Sequence, residues 1–169
     1  MPENDMSDHK IRIRQGCIND LDFIAASNIA MAKETEDLEL DPNVAHAGVK
    51  NGLNDPSRSL YFIAEVEGQP VGQTMVTTEW SDWRNGTCWW IQSVYVRAPF
   101  RRLGVFRALY KHIRGLAQQR EDVCGIRLYV HHTNERAIST YKRLGMTHTA
   151  YQVCEDMWPL RSTTSAGEL

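Results

Sequence analysis

The clearest chemical signal in the sequence is a short, arginine-rich segment ahead of an apolar helical pattern. It consists of Arg101, Arg102, Leu103, Gly104, Val105, Phe106 and Arg107. A helix that begins after such a turn leaves its first backbone N–H groups unpaired, and the helix dipole adds positive charge at the same point. Gly104 lets the backbone approach a ligand closely, and the arginines surround the amides with charge. These residues predict a binding site for a phosphate group.

The charge around this segment is strongly one-sided. Positions 97 to 120 hold seven basic residues and no acidic one: Arg97, Arg101, Arg102, Arg107, Lys111, Arg114 and Arg120. An exposed basic helix face explains this pattern as well as a phosphate site does, and a basic helix can also bind nucleic acid. The formal net charge of −2 gives no overall reason to expect nucleic acid or an anionic membrane as a partner.

Hydrophobic periodicity and turn residues predict the elements that position the segment. Residues 87–96 are almost continuously apolar and β-prone, as in a central strand. The residues after the segment show helical spacing, with Val105, Leu109, Ile113 and Leu116 on one face. The predicted order is strand 10–14, a helix capped by Asn19 or Asp20, helix 44–53, strands 61–66, 71–77 and 87–96, helix 105–116, strand 125–130, helix 134–144 and strand 147–157. The turn sequence 67–70 predicts that strands 61–66 and 71–77 form a hairpin, and helix 134–144 is expected to be capped by Asn134 and stopped by Gly145. We therefore predict an α/β fold with a strand–helix–strand crossover from about 88 to 130.

Composition predicts one ordinary globular domain. The 169 residues are 42% hydrophobic and 24% charged, and we expect a single domain over 10–159 with flexible tails at 1–9 and 160–169. No apolar run approaches the roughly 20 residues that cross a bilayer, and no signal region opens the chain. The cysteines form no C-x-x-C pair and are expected to be small buried hydrophobes: Cys17, Cys88, Cys124 and Cys154. These features predict a reduced, cytoplasmic protein with no membrane partner.

Two separate motifs resemble those of one enzyme family. Residues 94–105 resemble motif A of the GNAT superfamily of N-acetyltransferases, whose form is Arg/Gln-x-x-Gly-x-Gly/Ala after a strand; Arg101 and Gly104 match. Downstream, a second set resembles motif B: Asn134, Ala137, Tyr141 and Gly145. The resemblance covers about 10–157 and implies a splayed mixed sheet of six or seven strands flanked by about four helices.

One position departs from motif A. Its last residue is usually Gly or Ala, and here it is Phe106. Neighbouring helical side chains point in different directions, so we expect the Phe106 ring to pack on the protein while its N–H still faces the ligand.

The resemblance also implies a mechanism and roles for named residues. An amine would attack the thioester of acetyl-CoA directly, and the main chain of Val94, Tyr95 and Val96 would contact the pantetheine arm and stabilise the oxyanion. The seven residues 101–107 would hold the diphosphate. Asn134 matches a coenzyme-contacting position, and Tyr141 matches the family's candidate general acid, although its helix face equally suits a core tyrosine.

The sequence signals for the residues that would bind and deprotonate the amine acceptor are less specific than those for the coenzyme. An alkyl ammonium with a pKa of about 10 must lose a proton before it attacks. The central strand offers no acid, so Glu79 is the first candidate base and Asp82 the second. A solvated loop charge is the alternative for each, and Asp82 suits a cap of the 82–86 turn better than a catalytic role. Glu34, in the acidic stretch 34–41, and Trp83 suit a cationic acceptor, but a solvated loop explains the acids equally.

The sequence thus predicts a cytoplasmic N-acetyltransferase that uses acetyl-CoA and needs no metal. Its expected partner is a small-molecule or peptide amine, with neither nucleic acid nor membrane, and a homodimer is left open. The alternative is a non-catalytic, coenzyme-binding regulator of the same fold.

Overall fold

A computed structural model describes residues 10–158 of the chain. Both predicted tails, and Pro159 at the end of the predicted domain, lie outside the described residues. The elements are β1 (Arg12–Gln15), α1 (Leu21–Glu36), α2 (Pro42–Asn54), β2 (Leu60–Val66), β3 (Gln69–Ser81), β4 (Gly86–Val96), α3 (Val105–Gln118), β5 (Val123–Leu128) and α4 (Glu135–Arg143). Single 3₁₀ turns occur at Ile18–Asp20 and Ala98–Phe100.

The strands form one mixed sheet in the order β1-β2-β3-β4-β5. The first four are antiparallel neighbours, and β5 runs parallel to β4 after the crossover through α3. The predicted α/β class and the predicted crossover are therefore confirmed. The predicted hairpin is also present, with Glu67 and Gly68 at φ 52° and 76° in a two-residue turn, as such turns require.

Helices cover both faces of the sheet. Ile63 on β2 packs in a cluster with Ile24 of α1 and Val49 of α2. The adjacent Phe62 faces the other way and meets His112 of α3 edge-on, with ring centroids 5.6 Å apart. The sheet is therefore covered on both faces, and the chain leaves it at the end of β4 to enter α3.

The predicted strand at 147–157 is wrong. These residues form no strand, and within 10–158 the sheet has five strands instead of the six or seven expected. Tyr151, Val153 and Met157 are exposed. Their alternation gives strand propensity, but a strand exists only when a neighbour supplies the ladder of hydrogen bonds.

The chain divides into two compact units between His132 and Thr133, and the prediction of a single domain stays a prediction. In the second unit, α4 ends as the sequence predicts, at Gly145 with φ 86°. The N–H of Met146 donates to the Tyr141 carbonyl and that of Gly145 to the Lys142 carbonyl. This pair of bonds is a Schellman motif, which satisfies the last carbonyls of the helix.

A half-buried ion network ties β1 to β2 and to the start of α1. The Arg14 guanidinium donates to both oxygens of Asp20 at 2.7 Å and to Glu65 Oε1 at 2.6 Å. Asp20 also accepts from the N–H of Cys17 at 2.8 Å. Both carboxylates are buried, so one arginine supplies the positive charge that keeps two acids inside the protein.

Candidate active site

The turn that enters α3 has the geometry of an anion site. Arg102 and Gly104 have φ of 70° and 84°, and Gly104 is the N-cap of α3. Within residues 10–158, no side chain caps this helix end, and a Cβ built on Gly104 would meet no described atom within 4 Å. The first N–H groups of α3 thus lack a side-chain cap and lie at the positive end of the helix dipole, which suits a diphosphate.

A close contact between α3 and β3 fixes the position of this turn. Val105, the first residue of α3, is buried. A Cβ on Gly72 would lie 2.9 Å from Val105 Cγ1 and 3.1 Å from the Tyr95 carbonyl oxygen. Only glycine at position 72 lets the helix start this close to the sheet.

The Arg101 side chain connects the turn to β4 and to α1. Its Nε donates to the Val96 carbonyl at 2.8 Å, and its Nη2 donates to Glu34 Oε2 at 2.5 Å. The guanidinium lies 5.6 Å from the Tyr95 ring centroid, and the Tyr95 hydroxyl lies 3.4 Å from Glu34 Oε1. The structure therefore brings Glu34, predicted for the acceptor side, beside the predicted coenzyme segment. Contact between the Arg101 side chain and the diphosphate stays a prediction.

Of the remaining residues of the segment, one packs along α3 and the others are exposed to solvent. The Phe106 ring lies near the Tyr110 ring one turn further along α3, with centroids 6.3 Å apart. It is half-buried, as the sequence analysis expected of a packing side chain. Arg102, Leu103 and Arg107 are exposed. These exposed side chains provide positive charge and apolar surface for a ligand bound at the turn.

Beside the turn, β4 and β5 separate. Their pairing runs from Thr87↔Val123 to Ile91↔Leu128, whereas β4 continues to Val96 with β3 as its partner. Within the described part of the chain, no strand pairs with the other edge of 92–96. This edge includes Val94, Tyr95 and Val96, whose main chain is predicted to contact the pantetheine arm. The Val96 carbonyl accepts from Arg101, and the main-chain groups of this edge that lack a strand partner suit an amide-containing ligand.

A β-bulge lies in this same part of β4. Ser93 has φ 51°, and the register with β3 shifts between Gln73 and Met75. Gln73 Nε2 donates to the Ser93 carbonyl at 2.7 Å and to Asn28 Oδ1 on α1 at 3.0 Å. Thr74 Oγ1 donates to the Gln92 carbonyl at 2.8 Å. Side chains thus fix the backbone of the bulge from both faces of the sheet.

This support for the bulge is absent from the predictions made from the sequence. A usable signal was present, because Gln73 and Thr74 are adjacent polar residues in a strand and must face opposite sides. Both side chains are fully buried.

Glu79 lies in a different cluster. Its Oε2 accepts from Trp90 Nε1 at 2.9 Å and its Oε1 from Arg127 Nη1 at 2.8 Å. Trp90 also stacks on Tyr129, with centroids 4.4 Å apart. Glu79 lies five residues beyond Thr74 on β3, which is about 17 Å along the strand from the bulge.

Asp82 and Trp83 lie further from the bulge, in the turn that joins β3 to β4. Asp82 Oδ1 accepts from the Trp83 N–H at 2.9 Å, and the Trp83 side chain is 84% exposed. Asp82 therefore caps the turn, the role that its position in the sequence favours over catalysis. The structure does not bring these two residues to the coenzyme segment.

In the second unit, Asn134 caps α4 as predicted, and its Oδ1 accepts from the Ala137 N–H at 3.1 Å. Its contact with the coenzyme stays a prediction. Tyr141 is half-buried, and burial raises the pKa of its phenol. The hydroxyl therefore keeps its proton at neutral pH, as a general acid must.

Within residues 10–158, no group of three or more His, Cys, Asp or Glu side chains is arranged to hold a metal ion. None of the helices there has the length and apolar character needed to span a membrane.

Comparison with known proteins assigns the chain to a family. The profile of the Acetyltransferase (GNAT) family matches residues 24–146. The chain is 43% identical to a possible acetyltransferase from Clostridium difficile 630, over 89% of this chain and 99% of that one, with a TM-score of 0.82. Among curated proteins, no sequence matches.

Two more distant structures share the fold. One is the ribosomal-protein-alanine N-acetyltransferase from Brucella melitensis biovar Abortus 2308, with 15% identity, a TM-score of 0.72, and coverage of 89% of this chain and all of that one. The other is an aminoglycoside acetyltransferase from an uncultured soil metagenomic sample, with 17% identity, a TM-score of 0.69 and coverage of 89% and 97%. With the matching profile and the 43% identical relative, the chain belongs to the GNAT family and is an acyl-CoA-dependent N-acetyltransferase.

Proposed function

We propose that this enzyme binds acetyl-CoA with its diphosphate on the turn 101–107 and its pantetheine arm along the free edge of β4, and transfers the acetyl group directly to an amine. One observation carries the proposal. The pairing of β4 with β5 stops at Ile91↔Leu128. In the described part of the chain, the unpaired edge of 92–96 is followed along the sequence by the start of α3, which has no side-chain cap. A ligand with two amides and a diphosphate in series fits that order of donors and acceptors.

The coenzyme supplies a thioester, an activated acetyl group that an amine can attack. Backbone N–H groups near the bulge, at Val94 to Val96, stabilise the negative charge that develops on the thioester oxygen. Gln73 and Thr74 hold the bulge from both faces of the sheet, so these donors need little reorganisation during the reaction. No nucleophilic side chain is required, because the amine itself is the nucleophile.

The acceptor is an amine on a small molecule or a peptide. The fold accommodates both kinds, since the two distant relatives are named for ribosomal-protein alanine and for aminoglycosides. Most acids of the 34–41 stretch already have partners in this chain: Glu34 binds Arg101, Asp37 and Glu39 pair with Lys33, and Asp41 caps α2. These carboxylates are therefore engaged within the chain, and recognition of the acceptor rests mainly on other residues.

A panel of acceptors tests the proposed reaction. Thiol release from acetyl-CoA is measured with polyamines, aminoglycosides and peptides with free N-termini or lysines, and the products are identified by mass. We expect release that depends on one class of amine, with acetate added to its nitrogen. Binding of acetyl-CoA without turnover by any amine would contradict the proposal.

Replacing Tyr141 with phenylalanine tests the general acid. If the phenol protonates the departing thiolate, kcat falls about tenfold, at the weak end of general-acid effects because a thiolate with a conjugate thiol pKa of about 8.5 is a stable leaving group. The KM for acetyl-CoA should not change, because the coenzyme's binding contacts remain.

Tyr151→Phe is the matched control, since it removes the same atom from a side chain that is 77% exposed. It should leave kcat unchanged. A Tyr141→Phe enzyme with normal kcat but a lower melting temperature would assign Tyr141 to packing alone.

Glu79 is our candidate for the base, acting through a chain of bound water because of its distance from the bulge. Glu79→Gln should then lower kcat/KM about tenfold and change its pH dependence. Arg127→Met is the comparison, because it removes the cation bound to Glu79 but keeps the carboxylate. If the two variants lose the same activity and share one pH profile, Glu79 only positions Arg127.

A further inference from the structure

Two cysteines lie side by side on the neighbouring strands β4 and β5. Cys88 pairs with Gly125, and the register shifts between Thr87 and Cys88, which leaves Cys124 beside Cys88. Their Sγ atoms are 3.6 Å apart. A disulfide needs a separation of about 2.05 Å, and side-chain rotation on two adjacent strands can close such a gap.

The two thiols differ in environment. Cys124 is exposed, whereas Cys88 is buried. Burial is the main cause that raises the pKa of Cys88, and the hydrogen bond with Cys124 raises it further. Cys88 therefore stays a thiol at neutral pH, and only Cys124 is open to a reagent in solvent. The expectation that all four cysteines are buried is wrong, because Cys17, Cys124 and Cys154 are exposed.

We propose that Cys88 and Cys124 are a redox-active dithiol that a hydroperoxide converts to an intramolecular disulfide. Cys124 loses its proton, and its thiolate attacks a peroxide oxygen. The O–O bond breaks, the departing hydroxide takes up that proton and leaves as water, and a sulfenic acid remains on Cys124. The Cys88 sulfur then attacks Cys124 Sγ, the S–S bond forms, and the hydroxyl leaves with the Cys88 proton as a second water. Hydrogen peroxide is reduced to two waters, and the two thiols are oxidised.

This assignment is independent of the acetyl-transfer proposal, which uses neither sulfur. The site lies on the part of β4 that is still paired with β5, away from the free edge of 92–96. Proximity gives Cys88 a kinetic advantage over any thiol from solution, because the resolving sulfur is already in contact with its target.

The test uses a chain in which both other exposed cysteines are removed, Cys17→Ser with Cys154→Ser. After treatment with hydrogen peroxide, we expect an intact mass lower by two hydrogen atoms, no titratable thiol, and full recovery of both thiols with dithiothreitol. A mass increased by oxygen atoms, or disulfide-linked dimers, with the Cys88 thiol retained, would overturn the proposal.

Adding Cys88→Ser to that chain provides the control. Cys124 then lacks its resolving partner, so we expect oxygen addition or intermolecular dimers in place of the internal bond. Peptide mapping of the unsubstituted chain avoids any dependence on the folding of variants. It should yield one linked pair of peptides, containing Cys88 and Cys124, and linkage through Cys17 or Cys154 instead would contradict the assignment.

Discussion

Replacing Gly104 with valine is expected to raise the KM for acetyl-CoA about a hundredfold, a loss of roughly 2.7 kcal/mol of binding. Gly104 has φ 84°, a conformation that a β-branched residue adopts only with strain of about 1–3 kcal/mol. The added methyl groups would meet no protein atom near Cβ, and would fill the space that we assign to the diphosphate. Steady-state kinetics with varied acetyl-CoA measure the effect.

Gly68→Val separates strain from ligand binding. Gly68 has φ 76°, and a Cβ there also meets no atom of the described residues within 4 Å, but it lies in the turn between β2 and β3. Its strain should lower the melting temperature as much as Gly104→Val does, while the KM for acetyl-CoA stays normal. A similar rise of KM in both variants would mean that the effect comes from strain alone.

Arg14→Met is expected to lower the free energy of unfolding by about 3–5 kcal/mol, because breaking a buried ion network leaves charges without compensation. Asp20 and Glu65 would both stay inside the protein after the loss of their shared cation. Such a change is a large fraction of a typical stability of about 5–15 kcal/mol. Urea unfolding of both proteins at neutral pH measures it, with Arg58→Met as the control. The Arg58–Asp55 pair is exposed, so the control should change stability little.

The pH dependence of this loss has a definite sign. Burial tends to raise the pKa of Asp20, but hydrogen bonds from Arg14 and the Cys17 N–H outweigh it and hold the pKa below its usual 3.8. The stabilisation is therefore present above about pH 4 and is lost as the pH falls through the lowered pKa. Without Arg14, burial raises the pKa of Asp20, and protonation of Asp20 at acid pH removes its buried negative charge. The stability difference between variant and parent should narrow below about pH 4, and a difference that widens would contradict this account.

Features that depend on neighbouring residues could be predicted from the sequence. The hairpin turn at Glu67 and Gly68, the amphipathic helix α3 and the C-terminal cap at Gly145 each have their cause within a few positions. The Arg101–Gly104 turn belongs to the same class, because its backbone conformation depends on a glycine and on the helix that follows.

Features that depend on distant partners could not be predicted. Arg101 binds Glu34, which lies 67 positions earlier in the chain, and Gln73 binds Asn28 across 45 positions. The strand expected at 147–157 is absent for the same reason. Alternating apolar residues indicate strand propensity, but a strand also needs a neighbouring strand with which to pair. Burial of the cysteines was likewise inferred from residue type, whereas the sheet register decides which thiols reach solvent.

The most direct test of the central claim compares two acetyl donors in the parent enzyme and in Gly104→Val. S-acetylpantetheine keeps the thioester and the amides of acetyl-CoA but lacks the diphosphate. If the turn at Gly104 holds the diphosphate, the substitution lowers kcat/KM about a hundredfold with acetyl-CoA, and leaves kcat/KM with S-acetylpantetheine unchanged. An equal loss with both donors would show that the turn does not bind the diphosphate and would contradict the account.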